Sequence, residues 1–106
     1  MKCTERDDMS YIDYANNFWA RGSYSPYSAG QIALFFIVLD AANKSFWEEW
    51  IPISLSVIAS RARMSKVGIM KSKDELVARG ILDYRVSGDG KTGEFKLLAN
   101  EIHRKS

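Results

Sequence analysis

At Gly80 the spacing of apolar residues changes in one step from helical to alternating, and that change limits what the rest of the chain can build. Upstream, residues 65–82 read SKVGIMKSKDELVARGIL. Ser65 is a good N-cap, since its hydroxyl can accept a bond from a first-turn amide that has no partner within the helix. At about 100° per residue, Ile69, Ser72, Lys73, Leu76 and Gly80 fall on one side. Val67, Lys71, Asp74 and Ala78 fall opposite, so one side is anchored and the other is presented. Gly80 supplies an inexpensive C-terminal stop. Beyond it Leu82, Tyr84 and Val86 alternate with Asp83, Arg85 and Ser87, and on the return Phe95 and Leu97 alternate with Glu94 and Lys96. The SGDGKTG stretch between them is a turn-rich tip, so the pair forms a hairpin whose end carries Lys91.

The segments before Ser65 are read by the same rules. A first helix begins near Asp8 or Ser10 and runs to about Arg21, with Tyr11, Ala15, Phe18 and Trp19 as a core stripe and Gly22 as its end. Pro26 holds the following SYSPY loop extended. Ser28, three residues before Gln31, opens a second helix with a capping box. This helix runs to about Lys44. Ile32, Phe35, Phe36 and Leu39 form its stripe, yet Leu34, Ile37 and Val38 occupy its other sides. A helix apolar nearly all round is either central or shared with a second subunit, and in so small a domain sharing is favoured: a homodimer built through the N-terminal helices is expected.

In SFWEEWIPI, Trp47 and Trp50 bracket Glu48 and Glu49. Pro52 cannot donate to a ladder, so Ile51–Pro52–Ile53 can only be a short edge strand. The paired carboxylates read as a solvated loop, because neighbours on an extended segment point to opposite faces and no nucleophile or ligand set lies nearby. Ser54 caps a third helix, LSVIASRAR, with Leu55, Ile58, Ala59 and Ala62 inward. Arg63-Met64 then turns sharply into Ser65, which gives a helix-turn-helix unit. This turn often has Gly where Arg63 stands. Arginine in the left-handed conformation costs about 1 kcal/mol, which a longer turn would spare.

With 106 residues the chain is read as one domain, 1–106, comprising N-terminal helices (8–44), edge strand and helix-turn-helix (50–80) and hairpin (81–98). It can bury roughly two-thirds of its unfolded surface without staples. A lone Cys3 forms no internal bridge, MKCTERDD does not resemble a signal peptide, and the longest apolar run, residues 32–39, is far short of the ~20 needed to span a bilayer. A cytoplasmic, membrane-free protein is expected. The net charge of +2 is unevenly placed: residues 1–60 carry 4 Lys/Arg against 7 Asp/Glu, and residues 61–106 carry 11 against 6. That segregation suits an anionic partner.

Catalysis is disfavoured by elimination. One Cys and one His, Cys3 and His103, cannot build a zinc site or a Cys/His or Ser/His/Asp constellation, and the glycine-rich tip lacks a phosphate loop's Gly-Lys-Ser/Thr ending. No catalytic residue, metal or cofactor is expected. Binding is the remaining class. A helix ~10–12 Å across with its side chains fits a B-DNA major groove ~12 Å wide. On the presented side Lys66 and Lys71 can reach phosphate or guanine edges, Val67 and Met70 can touch thymine methyls, and Ser65 can donate to phosphate. Asp74 would repel phosphate and marks where groove contact ends. Arg61 and Arg63 can grip the backbone from the preceding helix and turn, and Arg85 and Lys91 from the hairpin.

Residues 53–98, with ISLSVIASRARMSK, Ile69 and Leu76, the ending ARGIL and a Gly-rich hairpin, resemble the winged helix-turn-helix of bacterial DNA-binding proteins such as the MarR group. From about Tyr11 to Leu98, YIDYANNFW, ALFFIVLDAANKSFW and the winged helix resemble the N-terminal domain of phage and mobile-element replication proteins, the replisome organisers and DnaD-like primosome proteins. The resemblance implies an α+β, mainly helical winged helix-turn-helix with an N-terminal helical extension and a C-terminal β-hairpin wing. It also implies origin DNA binding, self-association, and possible replication proteins as partners. Two departures stand out: the chain ends at Ser106, and Ser72 and Lys73 occupy the anchored face where larger apolar residues are usual. A transcription regulator sited at a promoter is the alternative. A winged helix used only to bind protein, through its aromatic N-terminal half with Trp47 or Trp50 at the contact, is the third possibility.

Overall fold

The computed structural model describes residues 11–88, 90 and 92–98. By its contacts the described chain divides into two units, one holding residues 11–26 and the other Tyr27–Leu98.

The first unit contains helix α1 (Tyr11–Gly22), with Asp13 in its first turn and Arg21 in its last, the arrangement its dipole favours. Its end is closed by Ser23, whose hydroxyl donates to the Ala20 carbonyl at 2.6 Å. The expected core stripe is only partly core. Phe18 is buried and Ala15 half-buried, but Tyr11 and Trp19 are exposed. Trp19 meets Phe18 edge-on, with ring centroids 5.3 Å apart. Adjacent helical residues diverge by about 100°, so with Phe18 turned inward Trp19 is carried toward solvent.

The second unit holds α2 (Ala29–Lys44), β1 (Ile51–Pro52), α3 (Leu55–Ala62), α4 (Lys66–Ala78), β2 (Leu82–Val86) and β3 (Gly93–Leu97). With α1 this makes an α+β fold of four helices and one antiparallel sheet among the described residues. Each helix of this unit starts where local chemistry directs. Ser28 accepts from the Gln31 amide while the Gln31 side chain accepts from the Ser28 amide, both at 3.2 Å. Ser54 accepts from Val57, and Ser65 from Gly68, at 3.1 and 3.0 Å. Each of these bonds satisfies an amide that the helix cannot.

All three helices end in a Schellman motif. Trp47 donates to Ala42 and Phe46 to Asn43; Met64 donates to Ala59 and Arg63 to Ser60; Ile81 donates to Leu76 and Gly80 to Val77. The motif requires one residue at positive φ, and these are Phe46 (60°), Arg63 (59°) and Gly80 (76°). Only α4 has the glycine that makes this conformation cheap. Arg63 therefore does adopt the strained conformation that a longer turn would have avoided: the crossed pair of bonds leaves no slack between α3 and α4. Trp47, at φ 63°, continues the left-handed run after Phe46.

Helix α2 packs on α3, α4 and the sheet. Leu34, Phe35, Val38 and Leu39 are buried, while Ile32, Phe36 and Ile37 are half-buried. None of its large apolar side chains is exposed, and α2 is the central helix of this unit. Ile58, Ile69, Leu76, Leu82 and Phe95 complete the centre of the core.

The sheet has the order β1-β3-β2. Ile51 pairs with Phe95 and Pro52 with Glu94, which leaves Pro52 on an edge, where its missing donor does no harm. Across β2 and β3, Tyr84 pairs with Phe95 and Arg85 with Glu94. The Tyr84 ring lies over Gly93, so closely that a Cβ there would stand 2.6 Å from it; the ring covers the strand backbone that glycine leaves bare. The apolar alternation fades toward the tip, where Val86 is exposed.

Candidate nucleic-acid interface

The placement of α4 decides what it can present. Ile69, Ser72 and Leu76 face inward, as their spacing predicts. Ser72 is small for a reason on the facing helix: a Cβ on Gly30 of α2 would stand 2.6 Å from Ser72 Oγ and 2.7 Å from Met64 Cε. Gly30 and Ser72 thus let two backbones approach where larger apolar residues would hold them apart. Lys73, the other unusual residue on this side, keeps only 14% of its side chain exposed. Its ammonium lies 4.5 Å from the Tyr84 ring centroid and 2.7 Å from Asp74 Oδ1. The stem is packed and the charge is spent internally.

A polar cluster fixes the C-terminal half of α4 to the start of α2. The buried Gln31 donates through Nε2 to Glu75 Oε1 at 2.7 Å and accepts from Arg79 at 3.4 Å. The Arg79 guanidinium lies 4.1 Å from the centre of the Tyr27 ring. Gln31 therefore caps its own helix and sets the position of α4 at once; a capping-box pattern reveals only the first role.

The opposite face of α4 consists of Lys66, Val67, Met70, Lys71, Asp74 and Ala78, all exposed. Lys66 and Lys71 join no ion pair among the described residues, and neither does Arg63, which the strained turn holds exposed just before the helix. Ser65 stands exposed at the cap, its oxygen engaged with Gly68 and its hydroxyl proton available. Five neighbouring members of the expected set, Ser65, Lys66, Val67, Met70 and Lys71, thus come together on the start and outer face of one helix.

The other members differ. Arg61 is half-exposed and lies 3.6 Å from Asp40, which also holds Lys44 at 3.1 Å. Arg85 is engaged twice: Nε donates to Glu94 Oε1 at 2.6 Å and the guanidinium stacks on Trp50 at 4.1 Å. Its cross-strand register opposite Glu94 makes that pair, so Arg85 is tied within the sheet and is not presented as an unengaged charge. Lys91 lies outside the described residues.

On the outer face of the sheet both glutamates are exposed, as the loop reading expects, and Glu49 in addition accepts from Lys96 Nζ at 2.8 Å. That hydrogen bond, with the Lys96 charge behind it, holds the Glu49 carboxyl below the usual glutamate range. Lys96 also lies 5.6 Å from the Trp50 ring. The loop before β1 is thereby latched to β3, a contact that no local pattern announces.

No protein-family model, no curated protein and no solved structure matches this chain. What the site can do therefore rests on its own residues. Among the described residues no helix is long and apolar enough to cross a membrane, and no group of three His, Cys, Asp or Glu could hold a metal ion. The outer face of α4 is a convex, cationic and partly apolar surface, suited to filling a groove in an anionic partner.

Proposed function

We propose that the chain is a winged-helix protein that binds duplex DNA through the outer face of α4, with β2 and β3 as its wing. The observation that carries this is the trio Arg63, Lys66 and Lys71. All three are exposed and without ion-pair partners among the described residues, and they surround Val67 and Met70, while Lys73 of the same helix is turned inward and neutralised. Unpaired cations around exposed apolar side chains match the chemistry of a major groove, with phosphates at its walls and base edges on its floor. A role in phage- or plasmid-type replication initiation follows from the resemblance of residues 11–98. Self-association belongs to the same proposal and would use the exposed Tyr11, Ile12 and Trp19 of α1.

The test is fluorescence anisotropy of a labelled random duplex titrated across a salt series, with the Lys66→Ala/Lys71→Ala variant alongside. Each phosphate contact adds about −0.9 to the slope of log K against log salt, so the double variant should flatten the slope by up to about 1.8. Absence of duplex binding by the unaltered protein at low salt would end the DNA proposal.

A second reading is favoured by one observation. Phe46 is 90% exposed although its backbone is held at positive φ, and an exposed aromatic at a strained position is a natural anchor for a protein partner. On that reading Phe46→Ala abolishes partner capture and the salt series shows no DNA binding.

A further inference from the structure

We infer that α4 selects its duplex by C5-methyl groups in the major groove, those of thymine or of 5-methylcytosine, through Val67 and Met70; this rests on the DNA-binding proposal above. The inventory of the outer face leads there. A helix reads guanine best with arginine and adenine with asparagine or glutamine, each through two hydrogen bonds. None of these residues stands among the six exposed positions Lys66, Val67, Met70, Lys71, Asp74 and Ala78. Asp74, which could accept from cytosine, is engaged by Lys73 at 2.7 Å. The two lysines are point charges on flexible stems and suit phosphate as well as bases.

That leaves the apolar pair. Val67 is 77% exposed and Met70 42% exposed, and their positions on the helix differ by only about 60° in direction, one turn apart. Neither packs into the core. Valine is a poorer helix former than alanine and gains nothing from burial at such a site, so folding alone gives no reason for it to be there. An apolar contact with a base methyl does give one. Met70 adds an adaptable thioether that can follow the methyl's position. Lys66 and Lys71 flank the pair and supply charge complementarity to the phosphates on either side.

Alternating d(A-T) and d(A-U) duplexes carry the same backbone charge and the same base hydrogen-bonding edges and differ only in the C5 methyl. Anisotropy titrations at one salt concentration should show the methylated duplex bound about fourfold tighter per contacted methyl, about fifteenfold for two. A second pair, alternating d(G-C) with and without 5-methylcytosine, should shift in the same direction. In the Val67→Ser/Met70→Ser variant, which keeps Arg63, Lys66 and Lys71 for the phosphates, the ratio should fall toward one, with circular dichroism confirming that the variant is folded. Equal binding of the two duplexes with a steep salt slope would overturn the methyl selection and leave DNA binding standing. A methyl preference that survives in the variant would assign it to duplex shape and also overturn the inference. Binding to neither duplex at low salt would overturn both proposals.

Discussion

Three helices end in the same hydrogen-bonded motif, but only one has glycine at the residue that must adopt positive φ, and this sets up an internally controlled experiment. Phe46 and Arg63 stand at φ 60° and 59° where Gly80 stands at 76°. A side chain in the left-handed region costs about 1–2 kcal/mol. Glycine returns part of that gain through its greater freedom in the unfolded chain, about 0.5–1 kcal/mol. Phe46 is almost fully exposed, and Arg63 is exposed and joins no ion pair among the described residues, so neither substitution forfeits packing. Phe46→Gly and Arg63→Gly should each stabilise the fold by about 0.5–1 kcal/mol, and Gly80→Ala should destabilise it by about 1 kcal/mol. For a chain near this length that is a shift of about 4 °C in Tm per substitution, read by thermal melts and by urea titration at unchanged slope. Arg63→Gly should also reduce the salt slope of DNA binding by about 0.9, whereas Phe46→Gly should leave it unchanged. An Arg63→Gly variant that is less stable than the parent would refute the strain assigned to this turn, and one with an unaltered salt slope would remove Arg63 from the interface.

Three further outcomes follow from the packing. Gly30→Val should destabilise by about 1–3 kcal/mol in urea titrations, since its side chain would overlap Ser72 and Met64; a variant of parental stability would show that α2 and α4 are not in close contact. Gln31→Ala removes half of the capping box and the bonds to Glu75 and Arg79, for a loss of about 1–2 kcal/mol, and a double-mutant cycle with Glu75→Ala should show coupling that loss of a cap alone would not. The Glu49 carboxyl, held down by Lys96, contributes stability that is present above the unfolded-chain pKa and is lost as pH falls through the lower folded value. Carboxyl titration by NMR should therefore place Glu49 below an ordinary glutamate and return it upward in Lys96→Met, and no movement on that substitution would discount the latch.

Local chemistry was legible in the residues themselves. Ser28, Ser54 and Ser65 cap the helices that follow them because a short side chain reaches an amide three residues on, whatever the rest of the chain does. Pro52 at an edge and Gly80 at a left-handed turn follow from the covalent structure of those two residues. The inward set Ile69, Ser72 and Leu76 follows from helical period, and so does the outward set that forms the candidate interface.

Period, however, gives direction and not cover. Tyr11 shares the direction of Phe18 yet stands exposed, and α2, apolar on all sides, is the central helix of its unit. Arg85 and Arg61 carry the same charge as Lys66 and Lys71, but cross-strand register sets Arg85 opposite Glu94 and helix packing brings Arg61 to Asp40. The chain alone thus determined the serine caps that start α2, α3 and α4, the glycine that stops α4 and the face that α4 turns outward, because those depend on neighbours a few residues away. Only the tertiary structure decided which cations remain unpaired, why Gly30 and Ser72 must be small, and that Arg63 bears a strained turn, because each depends on groups brought together from distant parts of the sequence or on the closure of two helices against one another.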